Sequence, residues 1–371
     1  MSIHVEKVVS HKDLTRFILF SREIYRRDPY WVQPLVKEME SRLDPAGNPF
    51  YDHSEIQAFL CVKDNKICGR IAAVLDNRYN ETHREKAVFF GFFESVNDRE
   101  VGAALMNAVA AWAGEKGASF IRGPVNPGSH DNWGLLVDGF DSSPVVRMPY
   151  NPQYYADLIE NSGFTAEKDL LAYHLSVQAE IPRYLRDAVG AAASRRKIFL
   201  RTLDKDRVDE EIRLVMGIYN QAWHANWGFV ALSDAEIGHL AEGLRPLIVD
   251  SLVVIAELDG KPAGFALALP DDNQVLKKLN GRQSPFGRTS PLSGREKITG
   301  VRLMTLGVLK KYRRLGIEAF LYLKIWEEAR RLGYIDAECS WISEDNREMR
   351  NGLERIGAAV YKTYRLYRKN I

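Results

Sequence analysis

The 371-residue sequence predicts an α/β fold (α+β, with a mixed central sheet) built twice along one chain. Three observations carry that expectation. The order strand, helix, hairpin, strand, helix, strand, helix, strand is read in the first half and again in the second. Corresponding helices stop at corresponding glycines, Gly117 against Gly333 and Gly163 against Gly357, as expected where a helix ends on a left-handed residue. A small, polar stretch, AVGAAASRR (188–196), separates the two. The expected division is 1–177, a linker at 178–196, and 197–371. Identity between the halves is low, so the repeat is one of architecture.

Taken in order, residues 1–9 read as a strand and 11–26 as an amphipathic helix with Leu14, Phe17, Ile18 and Ile24 on its apolar side. Residues 27–51 are rich in Pro, Trp and Asp and read as a packed irregular segment. Residues 58–63 and 67–75 form a hairpin around Asp64-Asn65-Lys66. A strand at 88–93 leads to a helix at 99–116, with Val101, Leu105, Ala108, Val109 and Trp112 on one face. A strand at 119–122, a long loop at 123–150, a helix at 152–162 and a strand at 170–177 complete the half. The second half repeats this with a strand at 197–203, a helix at 208–222, an aromatic loop, and a hairpin (252–258, 262–269) turning at Asp259-Gly260. A basic insertion at 274–297 follows. Then come a strand at 301–309, a helix from 317, a strand at 337–341, a helix at 346–356 and a strand at 359–368.

Composition bounds the function. A net charge of +2 opposes long-range steering to nucleic acid. Three scattered cysteines form no disulfide framework and suggest a reducing compartment. The start lacks the apolar core of a signal peptide, and no run of about 18 apolar residues exists to span a bilayer. A cytoplasmic location is expected, with peripheral membrane contact left open. No His, Cys or Asp spacing suggests a metal.

The chemistry centres on TLGVLKKYRRLGIEAFLYLKIWEEARRLG (305–333). A buried strand runs into a compact basic loop (Lys310, Lys311, Tyr312, Arg313, Arg314, Leu315, Gly316), and the loop runs into a helix. The first helical N–H groups have no partner in the helix, and the macrodipole adds to their pull on an anion. Gly316 lets the backbone approach an oxygen closely. The sequence holds neither a Walker loop nor a Rossmann fingerprint here.

This stretch resembles the coenzyme A loop of the GNAT N-acetyltransferase superfamily, [Q/R]-x-x-G-x-[G/A]. It matches at Arg313 and Gly316 and departs at Glu318. The element order extends the resemblance over nearly the whole chain as a tandem of two such domains. Four phrases, GLLVDGFD (134–141), NPQYY (151–155), NWGFVALSD (226–234) and SWISEDNREM (340–349), resemble a group of bacterial tandem GNAT-like proteins. The resemblance implies acetyl-CoA or a longer-chain acyl-CoA as donor substrate. Its binding residues would be Leu306, Val308, Lys311, Arg313, Arg314, Gly316, Ile317 and Asn346. Asn346 also reads as a helix N-cap. Arg99 to Ala104 satisfies the same pattern formally. Glu94, Asp98 and Glu100 surround it, so the coenzyme is expected in the second half.

In such enzymes an amine attacks a thioester, a base takes its proton and a tyrosine often protonates the thiolate. Glu338 is the expected base, sharing a strand face with Asp336 and Ser340. The tyrosine usual to the family falls on Leu353, which leaves Tyr361 or Tyr364 as acid, or as simple strand packing. Trp223, Asn226 and Trp227 would border an apolar acceptor, with His224 beside them; Asn126 and His130 lie in the polar centre of the long loop. The expected activity is acyl-CoA-dependent N-acylation of a small-molecule amine, with a lipidic acceptor open. The alternatives are a non-catalytic acyl-CoA-sensing or protein-binding module, and a nucleic-acid regulator using the basic insertion, against which the near-neutral charge weighs. No motif speaks to oligomeric state.

Overall fold

Separate apolar cores organise the chain. One is built around Val88, Leu105 and Tyr155, and another around Val254, Leu303 and Leu321. The structure, a computed structural model, describes residues 2–279 and 294–371. It divides into two units. Of the described residues, the first holds the chain to Leu170 together with residues 276–279 and Lys362–Ile371; the second holds Leu171–Val275 and residues 294–361. The middle of the basic insertion, 280–293, lies outside the described residues.

The first unit begins with β1 (Ile3–Lys7), α1 (His11–Leu19), α2 (Ser21–Ile24) and α3 (Val36–Arg42). The helix expected over 11–26 is thus broken at Phe20, and the segment read as irregular contains a helix. Then come β2 (Ser54–Lys63), β3 (Lys66–Asp76), α4 (Asn77–His83), β4 (Ala87–Ser95) and α5 (Arg99–Glu115). Asp64 and Asn65 take positive φ in the β2–β3 turn, the conformation a tight hairpin demands. β5 (Phe120–Gly123) opens the long loop, which carries short strands rather than none: β6 (Val125–Asn126), β7 (Asn132–Trp133) and β8 (Leu135–Asp138). α6 (Tyr155–Asn161) and β9 (Thr165–Ser176) follow, β9 passing into the second unit at Leu171. β1 to β4 pair antiparallel in order, and β4 pairs parallel with β5.

The second unit continues with α7 (Arg183–Ala193), a helix within the expected linker, then β10 (Ile198–Thr202), α8 (Val208–Trp223) and α9 (Asp234–Leu244). α9 follows the aromatic loop and starts on a capping box in which Ser233 and Glu236 satisfy each other's backbone N–H. β11 (Val253–Leu258), β12 (Lys261–Pro270), α10 (Asn273–Leu279), β13 (Gly300–Val308), α11 (Ile317–Arg331), β14 (Asp336–Ser343), α12 (Arg347–Arg355) and β15 (Ala359–Asn370) complete the chain. The sheet of this unit runs β9-β14-β13-β12-β11-β10. The parallel pair β13 with β14 matches β4 with β5 in the first unit. From Lys362 onward β15 belongs to the first unit, where it pairs with β5 and β8. No helix among the described residues is long and apolar enough to cross a membrane.

Candidate active site

In the second unit β13 and β14 pair only from Gly300↔Asp336 to Leu303↔Cys339 and then part. On its other side β13 slips one residue against β12 between Thr305 and Leu303, a bulge that re-aims the side chains beyond it. Leu303, Leu306 and Val308 pack into the core on one face. Arg302 and Glu338, opposite each other in the register, share the other face. There, Glu338 is 2% exposed. It accepts hydrogen bonds from Ser340 Oγ and Tyr361 Oη, and Arg302 Nε stands 3.7 Å from its Oε1. Arg302 in turn lies over the Trp341 ring at 5.2 Å. Glu338 and Tyr361, nominated separately from sequence, are therefore one hydrogen-bonded pair.

Thr305 follows the point where the strands part. Its Oγ1 is buried and has no hydrogen-bond partner among the described residues. Such a hydroxyl is costly to leave unpaired, and it was not singled out from sequence. Cys339 points into the core, where burial, with Glu338 adding to it, pushes its thiol up to about 12. It is no nucleophile at neutral pH.

The basic loop leads to α11, whose N-cap is Gly316 at φ +89°. Gly316 supplies no capping side chain; the Glu318 carboxylate takes its own backbone N–H instead, which leaves the Ile317 amide without the usual N-cap acceptor. Lys310, Lys311 and Arg314 are exposed around it, Lys311 lying over the Tyr312 ring at 4.7 Å. Arg313 is committed elsewhere: its guanidinium donates to Val308 O at 3.2 Å and Ala222 O at 2.6 Å, tying the loop to the end of α8. Ile317 is buried in the core. Glu318 stands at the helix start, where burial raises its pKa above the ordinary 4.5. Asn346 caps α12 by accepting from Met349 N at 3.2 Å.

The first unit puts different groups at the equivalent places. Arg122 holds on β5 the register position that Glu338 holds on β14. It is locked to Glu167 at 2.6 and 2.7 Å and to Glu85 at 2.9 Å. α5 is capped by Asp98, whose carboxylate takes the Glu100 N–H at 2.9 Å. Lys63 at 2.6 Å holds Asp98 below the usual carboxylate range. Where β4 leaves β5, the Asn126 side chain accepts the Phe92 N–H, and a Cβ on Gly91 would lie 1.9 Å from Val125 O. The opening between these strands is filled by the chain's own loop, and Asn126 is spent on it.

Tyr364 belongs to this first unit, fully buried beside its register partner Leu136 and against Gly134. It is not part of the Glu338 group. His130 is also in the first unit. In the second unit Trp223 covers Gly307, where an added Cβ would lie 2.2 Å from its ring. It contacts Tyr219 at 4.8 Å and Phe265 at 6.2 Å. Asn226 turns the chain after α8, its N–H bonding Trp223 O at 2.7 Å, and Trp227 is 41% exposed. Among the described residues no group of His, Cys, Asp and Glu could hold a metal ion.

Protein YghO of Escherichia coli (strain K12) is 36% identical over 378 residues, covering 99% of this chain and 95% of that protein. Bacterial ceramide synthase of Caulobacter vibrioides (strain NA1000 / CB15N) is 34% identical over 375 residues, covering 99% of this chain and 97% of that one. Among solved structures, a tandem GNAT protein from the clavulanic acid biosynthesis pathway matches with a TM-score of 0.58 at 11% identity, over 100% of this chain and 98% of that chain. That likeness shows the fold. No family model matches the sequence.

Proposed function

Since this chain belongs to the acyltransferase family, of tandem GNAT fold, that includes Protein YghO and bacterial ceramide synthase, we propose that it transfers a long acyl group from acyl-CoA to the amine of a lipidic acceptor. The relative's name supports the acceptor class, a ceramide being the amide of a fatty acid with a long-chain amino alcohol. One observation carries the reading. In the second unit a buried carboxylate with a tyrosine on it stands where two parallel strands part, on the sheet whose strand β13 leads through the basic loop to a helix with glycine at its N-cap.

The second unit suits acyl-CoA and the first does not. The start of α11 at Gly316, with Lys310, Lys311 and Arg314 beside it, suits a pyrophosphate once the Glu318 carboxylate leaves its own N–H, and the unpaired Thr305 hydroxyl offers a donor between the strands. The corresponding amides of the first unit are used by Asp98 and Asn126. In the reaction a C–N bond forms at the thioester carbon, the C–S bond breaks, and the amine nitrogen loses a proton while the thiolate gains one. Glu338 takes the proton from nitrogen. Tyr361 gives one to sulfur and regains it from Glu338, so no net proton is left on the protein. Ser340 and Arg302 hold the carboxylate in place. Trp223, Phe265 and Tyr219 supply apolar surface on the same side of the sheet.

The test is thiol release from palmitoyl-CoA with sphinganine, with acetyl-CoA and a short amine as comparison arms and the amide product identified by mass. Palmitoyl amide is expected to form fastest. Glu338→Gln should lower kcat by about 10²–10⁴-fold while leaving palmitoyl-CoA binding in place. Absence of thiol release with every donor, or full activity in the Gln variant, would refute the reading.

A further inference from the structure

Glu338 and Tyr361 come from β14 and β15, which are not neighbours: β9 lies between them in the sheet. Tyr361 therefore reaches across β9 to set its hydroxyl on Glu338 Oε2. From Leu171 onward β9 belongs to the second unit, as does Tyr361. The residue that β9 sets against the reaching ring is His174. Its imidazole meets the Tyr361 ring at 5.9 Å between centroids and 61° between planes, the edge contact that aromatic pairs prefer. On its other side His174 Nε2 stands 3.0 Å from Asp336 Oδ1. A carboxylate only accepts, so Nε2 carries a hydrogen and the imidazole is tied to β14.

Asp336 lies two residues before Glu338, on the same face of β14. One face of three strands thus carries a run of contacts, from Asp336 to His174, from His174 to Tyr361 and from Tyr361 to Glu338. The run starts at the surface, where the side chains of His174 and Asp336 are each 47% exposed, and ends on the buried carboxylate. A pair so exposed adds little to stability; its effect is to hold one ring against another. Glu338 is faced by Arg302 from β13, by Tyr361 from β15 and by Ser340 on its own strand, while Cys339 is turned to the core. His174 meets this group through Tyr361.

We propose that His174, anchored by Asp336, is a positioning residue that aims the Tyr361 hydroxyl at Glu338. A strand that begins in the first unit then completes the proton-transfer group of the second. The inference rests on the acyl transfer proposed above. Without the imidazole beside it, the Tyr361 ring is freer to swing and its hydroxyl donates to the carboxylate less well. Two effects follow. The ionised carboxylate loses part of a hydrogen bond that favours it, so the base is ready only at higher pH. The hydroxyl that gives its proton to sulfur is also less often in place.

Thiol release from palmitoyl-CoA with sphinganine, followed across pH, tests it. His174→Ala should lower kcat by about 3–10-fold. It should also move the acid limb of kcat/KM, which reports the free enzyme's base, up by about 0.5–1 pH unit. Its melting temperature should stay close to that of the wild type, because the pair it breaks is half-exposed. His174→Phe keeps a ring beside Tyr361 without the bond to Asp336 and should recover part of the loss. In a Tyr361→Phe background His174→Ala should change nothing further, since the hydroxyl it aims is gone. An unchanged kcat and pH profile in His174→Ala, a His174→Phe protein no better than His174→Ala, or a loss that adds in full to that of Tyr361→Phe would each overturn the positioning role. Acyl transfer would still stand in those cases if Glu338→Gln is inactive. A wild type that releases no thiol overturns both.

Discussion

Gly316→Ala tests the loop on which the proposed coenzyme site depends. Two separate costs follow from the structure. At φ +89° an alanine enters the left-handed region, at about 1–2 kcal/mol. Its Cβ would also lie 2.6 Å from the Cβ of Ala192 on α7. Carbons pack at about 3.5–4.0 Å, and relieving such an overlap costs about 1–3 kcal/mol. The sum is about 2–5 kcal/mol. For a unit of this size it corresponds to a fall in Tm of about 4–20 °C. Urea titration followed by tryptophan fluorescence, with calorimetry for Tm, reads it directly. Ala192→Gly separates the two costs. Alone it should cost up to about 1 kcal/mol as a helix glycine. Combined with Gly316→Ala it should recover the overlap and leave the strain, giving a coupling of about 1–3 kcal/mol between the sites. A Gly316→Ala protein within about 0.5 kcal/mol of wild type would refute both the left-handed cap and its contact with α7, and a strictly additive cycle would refute the contact.

Three further outcomes are expected. Tyr361→Phe should lower kcat by about 10–100-fold and leave acyl-CoA affinity unchanged by calorimetry; a matched rise in KM would instead place the tyrosine in binding. Glu318→Gln should tighten CoA binding by roughly two- to fivefold. Because burial raises the Glu318 pKa above 4.5, the wild-type carboxyl is neutral at low pH, so the two proteins should bind alike there and separate as pH rises through the raised value. A pH-independent difference in titrations would contradict this. Asn126→Ala leaves the buried Phe92 N–H without its acceptor and should cost about 1–3 kcal/mol in denaturation, with kcat unchanged; a matching loss of kcat would return chemistry to the first unit.

Much of the fold was legible because it is written in local patterns. The hairpins announced themselves through Asp64-Asn65 and Asp259-Gly260, and α5 and α11 through their apolar spacing and the glycines after them. α9 carried a readable signal, the Ser233–Glu236 capping box, beside aromatics that drew the eye to a loop. α7 did not, since Ala, Gly and Ser suit a linker as well as a helix buried on one side. The pairing of β15 with β5 and β8 joins residues more than 200 apart, and no local periodicity records it. At the site, strand alternation marked Glu338. Arg313 looked like a free phosphate ligand because its two main-chain acceptors, Val308 O and Ala222 O, are invisible in a string of letters. Thr305 was hidden by the bulge in β13, because strict alternation sets it on the face opposite Arg302 and only the extra residue of the bulge brings it round.

The end of β15 lies in the first unit, against β5 and β8. Ribosomal synthesis runs from the N-terminus, so the first unit waits through translation of nearly all the second before its sheet can close. Until Lys362–Asn370 emerges, the flank of β5 that this strand covers stays open to chaperones or to misjoining. A nascent chain arrested before this strand would be protease-sensitive in its first unit, however complete its second.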